Sequence, residues 1–92
     1  MEEKFLAALE KNRLQAEALG VRIRPVTELA QAKRILSGHR ESDGFAALAG
    51  KHRLELSLEA LAVKQPYTNL FTDEEANNAL TRLLEAGYGF RS

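Results

Sequence analysis

The side chains that could carry out catalysis are few and form no recognisable catalytic arrangement. The chain contains two histidines, His39 and His52, and no cysteine. A metal centre needs three or four ligands that converge from rigid elements, whereas His39 has only Glu41 and Asp43 beside it, in a polar turn. We therefore predict no metal site and no bound cofactor.

Nucleophilic and acid–base motifs are also missing from the sequence. The serines stand outside a nucleophile elbow and outside any Ser-x-x-Lys pattern, and the glycines form no phosphate-binding loop. The acidic run Asp73–Glu75 is explained by its place at the start of a predicted helix, where carboxylates stabilise free backbone N–H groups. We therefore predict no catalytic residue and expect that the protein is not an enzyme.

The composition is that of one small domain, which we expect to span residues 1–92. Apolar residues make up 45% of the chain and charged residues 28%, which are ordinary values for a globular protein. Tryptophan is absent, so the core must rest on leucine and alanine, which favour helices. Because the sequence lacks cysteine, a signal-like start and a long apolar run, we expect a cytoplasmic protein that does not contact a membrane.

Periodicity and capping residues predict two helices in the first half of the chain. Residues 2–19 contain no proline or glycine, and their apolar residues form a stripe that Asn12 and Arg13 interrupt. Thr27 is expected to cap a second helix, which carries apolar residues on one face and ends at Gly38. A polar turn follows this second helix.

Two further helices are predicted beyond that turn. The apolar run Phe45–Ala49 indicates a short third helix. Thr72 and Glu75 have the spacing of a capping box, in which each side chain accepts a backbone N–H, and the last helix is expected to run from there to a cap at Gly87.

Two segments alternate in the manner of strands. Residues 21–26 alternate apolar and basic side chains, and Pro25 restricts such a strand to a sheet edge. Residues 52–58 alternate leucine with polar residues and predict a strand, followed by a helical turn or a second strand through Val63; alternatively, Ser57 caps a helix. The predicted fold is therefore α+β and helix-dominated, with three to four helices covering a small two- or three-stranded sheet.

Charge is balanced overall but unevenly distributed along the chain. The formal net charge is zero, with 13 basic and 13 acidic residues, which argues against an obligate nucleic-acid binder. Residues 22–53 nevertheless carry more basic than acidic side chains. The basic side chains of this segment are Arg22, Arg24, Lys33, Arg34, Arg40, Lys51 and Arg53.

This basic segment supports an alternative function, that of a winged-helix-like nucleic-acid-binding protein. The element order fits that topology if residues 52–64 form a hairpin, and Ala79–Tyr88 is similar to helix endings in such domains. The basic side chains would then contact phosphates. The predicted recognition helix, residues 43–49, lacks the basic and amide side chains that base readout needs.

The end of the chain resembles part of a known RNA-binding motif. Residues 87–90, Gly-Tyr-Gly-Phe, resemble part of the aromatic box on the sheet of RNA-recognition motif domains. Ala86 stands where that family has a basic residue, and Arg91 where it has an aliphatic one. We therefore interpret the segment as a glycine helix cap behind which Tyr88 and Phe90 fold back onto the core.

The function that we predict first is a small non-enzymatic protein-interaction or regulatory module that binds a protein partner. The loop of residues 66–71 places aromatic and leucine side chains outside any clear periodicity, although Phe71 is also expected to pack against the last helix. The face of the first helix that carries Phe5 and Leu9 is a second candidate surface. The predicted partner-binding residues are Tyr67, Leu70, Phe71, Tyr88 and Phe90.

Overall fold

The computed structural model describes residues 1–88, and every regular element among them is helical. Two 3-10 turns, at Leu54–Leu56 and Tyr67–Leu70, connect the later helices. The helices are α1 (Glu2–Ala18), α2 (Leu29–Ser37), α3 (Phe45–Gly50), α4 (Leu58–Ala62) and α5 (Asp73–Glu85). Since residues 1–88 contain no strand, the predicted α+β fold with a small sheet is wrong.

The first predicted strand is an irregular connection between α1 and α2. Val21 is buried and Ile23 is half-buried, whereas Arg22 and Arg24 are exposed. The Arg24 backbone N–H donates to the Asp43 carboxylate at 2.7 Å, where a strand would need a neighbouring backbone. The alternation therefore reflects which side chains are buried, and it does not indicate that the backbone pairs with a neighbouring strand.

The second predicted strand is replaced by a 3-10 turn and α4. The Ser57 hydroxyl donates to the Leu54 carbonyl at 2.7 Å and accepts the Ala60 N–H at 3.1 Å. One side chain therefore closes the turn and caps the helix, and such local bonds compete with strand pairing. The alternative that Ser57 caps a helix is confirmed. The hairpin that a winged helix requires is not present in residues 52–64.

The predicted helices are found with small changes at their ends. The Thr72 hydroxyl accepts the Glu75 N–H at 3.1 Å, and the Glu75 carboxylate accepts the Thr72 N–H at 2.9 Å, so the capping box is confirmed. The start of α2 is one residue later than expected, because its N-cap is Glu28 and not Thr27. No helix in residues 1–88 combines the length and apolar content needed to cross a bilayer.

The core consists of two apolar clusters that share α1 and α4. The Phe5 cluster contains Phe5, Leu9, Ala32, Leu36, Leu58, Leu61, Ala62, Phe71 and Ala79. The Phe45 cluster contains Ala16, Val21, Phe45, Leu48, Leu54, Leu56, Ala60 and Leu83. Every residue of α4 is buried, and its side chains divide between the two clusters. This short helix therefore joins the two halves of the core.

A buried ion pair ties α4 to α5 and to the end of α2. The Glu59 carboxylate is fully buried and accepts hydrogen bonds from the Ser42 N–H at 2.8 Å and the Ser42 hydroxyl at 2.5 Å. Arg82 donates to Glu59 at 3.3 Å and also to the carbonyl oxygens of Leu36 and Gly38, at 3.4 and 2.6 Å. Carbonyls at the end of a helix lack intrahelical donors; Arg82 supplies donors here, and the Asn78 amide also donates to the Leu36 carbonyl, at 3.0 Å.

Candidate functional site

A cleft lies between α1 and α4, and we call it the α1–α4 cleft. Its volume is about 530 Å³ and it is open to solvent on one side. The apolar side chains of Leu56, Ala60 and Leu61 line its base, and all three are buried. The base is therefore rigid, because these side chains also belong to the two core clusters.

Helix α1 contributes a polar wall to this cleft. Lys11, Asn12 and Gln15 line the cleft together with Ala8, at spacings that place all four on one face of the helix. Lys11 and Gln15 are exposed and Asn12 is half-buried. Within residues 1–88, none of the three polar side chains makes a hydrogen bond or ion pair. Their donors and acceptors are free for a ligand.

The opposite wall brings together residues from two distant parts of the chain. Lys64 and Tyr67 follow α4, and Tyr88 follows α5. The Tyr67 ring packs edge-on against Phe5, with ring centroids 5.5 Å apart. The Tyr88 N–H donates to the Leu83 carbonyl at 2.9 Å, and its side chain packs against the Phe45 cluster. Each tyrosine is therefore anchored in a different core cluster while lining the same cleft.

The electrostatics of the cleft are positive. Lys11 and Lys64 line it and have no ion-pair partner among residues 1–88. Glu55 is the carboxylate of its lining, and it accepts a hydrogen bond from Arg53 Nε at 2.5 Å. Because Arg53 already pairs with Glu55, no carboxylate among residues 1–88 compensates the two ammonium groups of the cleft.

Two other residues of the predicted partner site, Leu70 and Phe71, do not line the α1–α4 cleft. Phe71 is buried, and its ring lies 5.3 Å from that of Phe5 in an edge-on contact. Leu70 is half-buried against the same cluster. Phe90 lies outside the residues that the structure describes. Tyr67 and Tyr88 therefore line the same cleft, whereas Leu70 and Phe71 pack with Tyr67 in the Phe5 cluster without lining that cleft.

None of the seven basic residues of the alternative site lines the α1–α4 cleft. Lys33 donates to the Glu75 carboxylate at 2.8 Å and lies over the Phe71 ring, 5.6 Å from its centroid, while Arg53 is paired with Glu55. The remaining five are exposed, namely Arg22, Arg24, Arg34, Arg40 and Lys51.

A smaller cleft of about 320 Å³ lies between α1 and the connection of residues 21–27. Its lining is mostly apolar, and three of the charged groups that line it, Glu10, Arg13 and Asp43, are already paired. Arg13 donates to Glu10 at 2.7 Å and to Glu17 at 3.2 Å, and Asp43 accepts the Arg24 N–H. A charged ligand that bound Arg13 or Asp43 would therefore have to displace an internal partner.

The histidines do not assemble a site. His39 and His52 are both exposed, and residues 1–88 contain no cluster of three or more histidine and carboxylate side chains arranged to hold a metal ion. The sequence drew attention to these two residues only because histidine is the commonest side chain in metal and acid–base sites.

The lysines and amides of the α1–α4 cleft were not identified from the sequence. The one available signal was the interruption of the apolar stripe of α1, since Asn12 stands where a core residue is expected. The structure explains this interruption, because Asn12 faces the α1–α4 cleft and Arg13 faces the smaller one.

Comparison with known proteins gives no assignment: the chain matches no protein-family model, no curated protein and no solved structure. The function has to be inferred from the geometry of the chain itself.

Proposed function

We propose that this protein is a non-enzymatic interaction module that binds a partner protein in its α1–α4 cleft. The observation that carries the proposal is the convergence of Tyr67 and Tyr88 with two unpaired lysines, Lys11 and Lys64, over an apolar base. These four side chains come from three separate segments of the chain.

The chemistry of the cleft is typical of protein recognition. Tyrosine combines a large apolar ring with a polar hydroxyl and is enriched at protein interfaces. Tyr67 is held by its edge-on contact with Phe5, so little side-chain entropy is lost when a partner binds. The unpaired amides of Asn12 and Gln15 add hydrogen-bonding groups at the wall.

The same lining supports binding better than catalysis. The polar side chains of the cleft are lysine, amide, tyrosine and glutamate, and no histidine or serine of residues 1–88 lines it. Glu55, its carboxylate, is held by Arg53. Nucleophilic catalysis by a side chain needs a base within hydrogen-bond reach of the nucleophile, and no hydrogen bond of that kind joins two lining side chains of residues 1–88.

A steric block tests the proposal without assuming anything about the charge of the partner. Gln15→Trp places a bulky ring in the cleft, whereas Ala7→Trp places the same ring on an exposed position of α1 outside it. Tagged wild-type protein and both variants are used for quantitative affinity capture from a lysate of the source cells. Circular dichroism establishes first that both variants are folded.

We expect a protein that is captured equally by wild type and Ala7→Trp and is reduced at least about tenfold with Gln15→Trp, the loss typical of a disrupted interface centre. Equal capture by all three proteins, or no capture by wild type, would contradict the proposal.

A further inference from the structure

The charge of the α1–α4 cleft restricts the chemistry of its occupant. Lys11 extends from α1 and Lys64 from the segment after α4, so cations stand on both sides of the cleft. Arg53 neutralises the Glu55 carboxylate. A partner that brings negative charge would gain favourable interactions on both sides, whereas a basic partner would be repelled.

The polar and apolar surfaces of the cleft restrict the occupant further. The free amides of Asn12 and Gln15 each offer both donors and acceptors, which suits the alternating N–H and C=O groups of a peptide backbone. Leu56 and Leu61 at the base, beside the Tyr67 ring, provide an apolar surface for a side chain. Carboxylates, a peptide backbone and an apolar side chain are therefore the complementary features.

We infer that the occupant of the α1–α4 cleft is an acidic peptide segment of the partner protein, with carboxylates on Lys11 and Lys64 and an apolar side chain on the base between them. This inference rests on the proposed function and adds to it the chemical class of the partner.

A nucleic acid fits the same cleft less well. Binding to a phosphate backbone relies on a row of basic side chains that neutralises several phosphates, and residues 1–88 contribute two lysines to the cleft. The exposed arginines of the chain, including Arg22, Arg34 and Arg40, do not line it. The chain as a whole has a formal net charge of zero.

The test uses isotope-labelled full-length protein and synthetic peptides observed by NMR. The probes are the capped hexapeptides EELFEE, QQLFQQ and KKLFKK, together with a ten-nucleotide oligouridine RNA. The protein variants are a double substitution in the cleft, Lys11→Gln with Lys64→Gln, and the matched control Lys51→Gln at an exposed lysine outside it.

We expect EELFEE to shift the amide resonances of residues 8–15 and 60–67 and to bind about tenfold more tightly than QQLFQQ at low salt, as two added charge pairs would produce. The preference should weaken with added salt. It should disappear in the cleft variant and persist in Lys51→Gln.

Other outcomes separate the two levels of the proposal. Equal binding of EELFEE and QQLFQQ in the cleft would overturn the acidic preference and leave the interaction function supported. If no peptide shifts the resonances of the cleft, the acidic-peptide inference is wrong. The steric-block experiment then tests the proposed interaction function independently. Tighter binding of the RNA in the cleft, or acidic-peptide shifts confined to the exposed arginines, would also overturn it.

Discussion

The Glu59 carboxylate is a fully buried charged group of the core, and it accepts three hydrogen bonds. It accepts bonds from Ser42 and Arg82 while fully buried, and Arg82 in turn satisfies carbonyls at the end of α2. Removing one partner of a buried pair leaves the other charge without compensation, whereas removing both replaces the pair with apolar packing.

We therefore expect Arg82→Met to destabilise the fold by about 3–5 kcal/mol. The double variant Glu59→Leu with Arg82→Met should be less destabilised than Arg82→Met alone, because no unpaired charge remains. Urea unfolding followed by far-UV circular dichroism measures both. A double variant that is less stable than the single one by the full cost of a second substitution would show that the two charges do not act as a pair.

Glu75 links stability to pH at the start of α5. Burial alone raises the pKa of its carboxyl group, but the hydrogen bond from Lys33 and the bonds from the Thr72 backbone and hydroxyl outweigh burial, so the pKa lies below its ordinary value. A carboxyl group with a lowered folded-state pKa stabilises the fold above its unfolded pKa, and this contribution is lost as the pH falls through the folded pKa.

Glu75→Gln should therefore lower the Tm most at neutral pH, and the difference from wild type should shrink below about pH 4, where the unfolded carboxylate becomes protonated. Differential scanning calorimetry between pH 3 and pH 7 provides the measurement. Glu74→Gln is the matched control, since Glu74 is exposed and makes no ion pair within residues 1–88. A Tm difference for Glu75→Gln that is independent of pH would contradict the expectation.

At the scale of elements, local signals identified the helix ends, but they wrongly indicated a sheet that residues 1–88 do not contain. The capping box of Thr72 and Glu75 was readable from sequence because both of its bonds join residues three apart. A strand exists only when a distant segment pairs with it, so alternation in residues 21–26 and 52–58 was insufficient evidence. In residues 52–58, the hydrogen bonds of Ser57 with Leu54 and Ala60 favour a turn and a helix over a strand.

The residues of the candidate site also divide into those that the sequence could suggest and those that it could not. Tyr67 and Tyr88 could be selected from sequence as unusual aromatics, and the structure places them in one cleft. Lys11 and Lys64 are ordinary surface lysines in the sequence, and their convergence arises from the packing of α1 against α4. Long-range packing of that kind leaves no local pattern in a single sequence.

The connection between α1 and α2 packs closely against Gly44, which lies between α2 and α3. Gly44 has a φ of +79°, and a Cβ atom at this position would lie 2.7 Å from Ile23 Cγ1. Gly20 has a similar φ of +88°, but a Cβ atom there would meet nothing within 4 Å. Both glycines therefore have a left-handed backbone conformation, but only Gly20 has room for a Cβ atom.

We expect Gly20→Ala to cost about 1 kcal/mol of stability, from the left-handed backbone alone. Gly44→Ala should cost about 1–3 kcal/mol more, because the added methyl group displaces Ile23 from its packing. Urea unfolding of the two variants measures the difference. Equal destabilisation would mean that Ile23 moves aside freely and that the connection is loosely packed.

At the scale of the whole molecule, the two core clusters are expected to unfold together. Helices α1 and α4 contribute side chains to both clusters, and Val63 packs against both. The Glu59–Arg82 pair adds a buried link between α4 and α5. If one cluster unfolded alone, the shared helices would lose part of their packing, and the other cluster would be destabilised as well. We therefore expect one cooperative unfolding step, as is usual for small domains.

The two tyrosines make this expectation measurable, because the chain contains no tryptophan and each tyrosine packs against a different cluster. Tyr67→Phe leaves Tyr88 to report on the Phe45 cluster, and Tyr88→Phe leaves Tyr67 to report on the Phe5 cluster. In each variant the urea midpoint from tyrosine fluorescence should coincide with the midpoint from circular dichroism of that same variant, which corrects for any change in stability. If Tyr88 fluorescence changed at a lower urea concentration than the helical signal, the Phe45 cluster would be a separately unfolding unit. The prediction of a single domain would then be wrong, and one wall of the α1–α4 cleft would be able to open while the other stays folded.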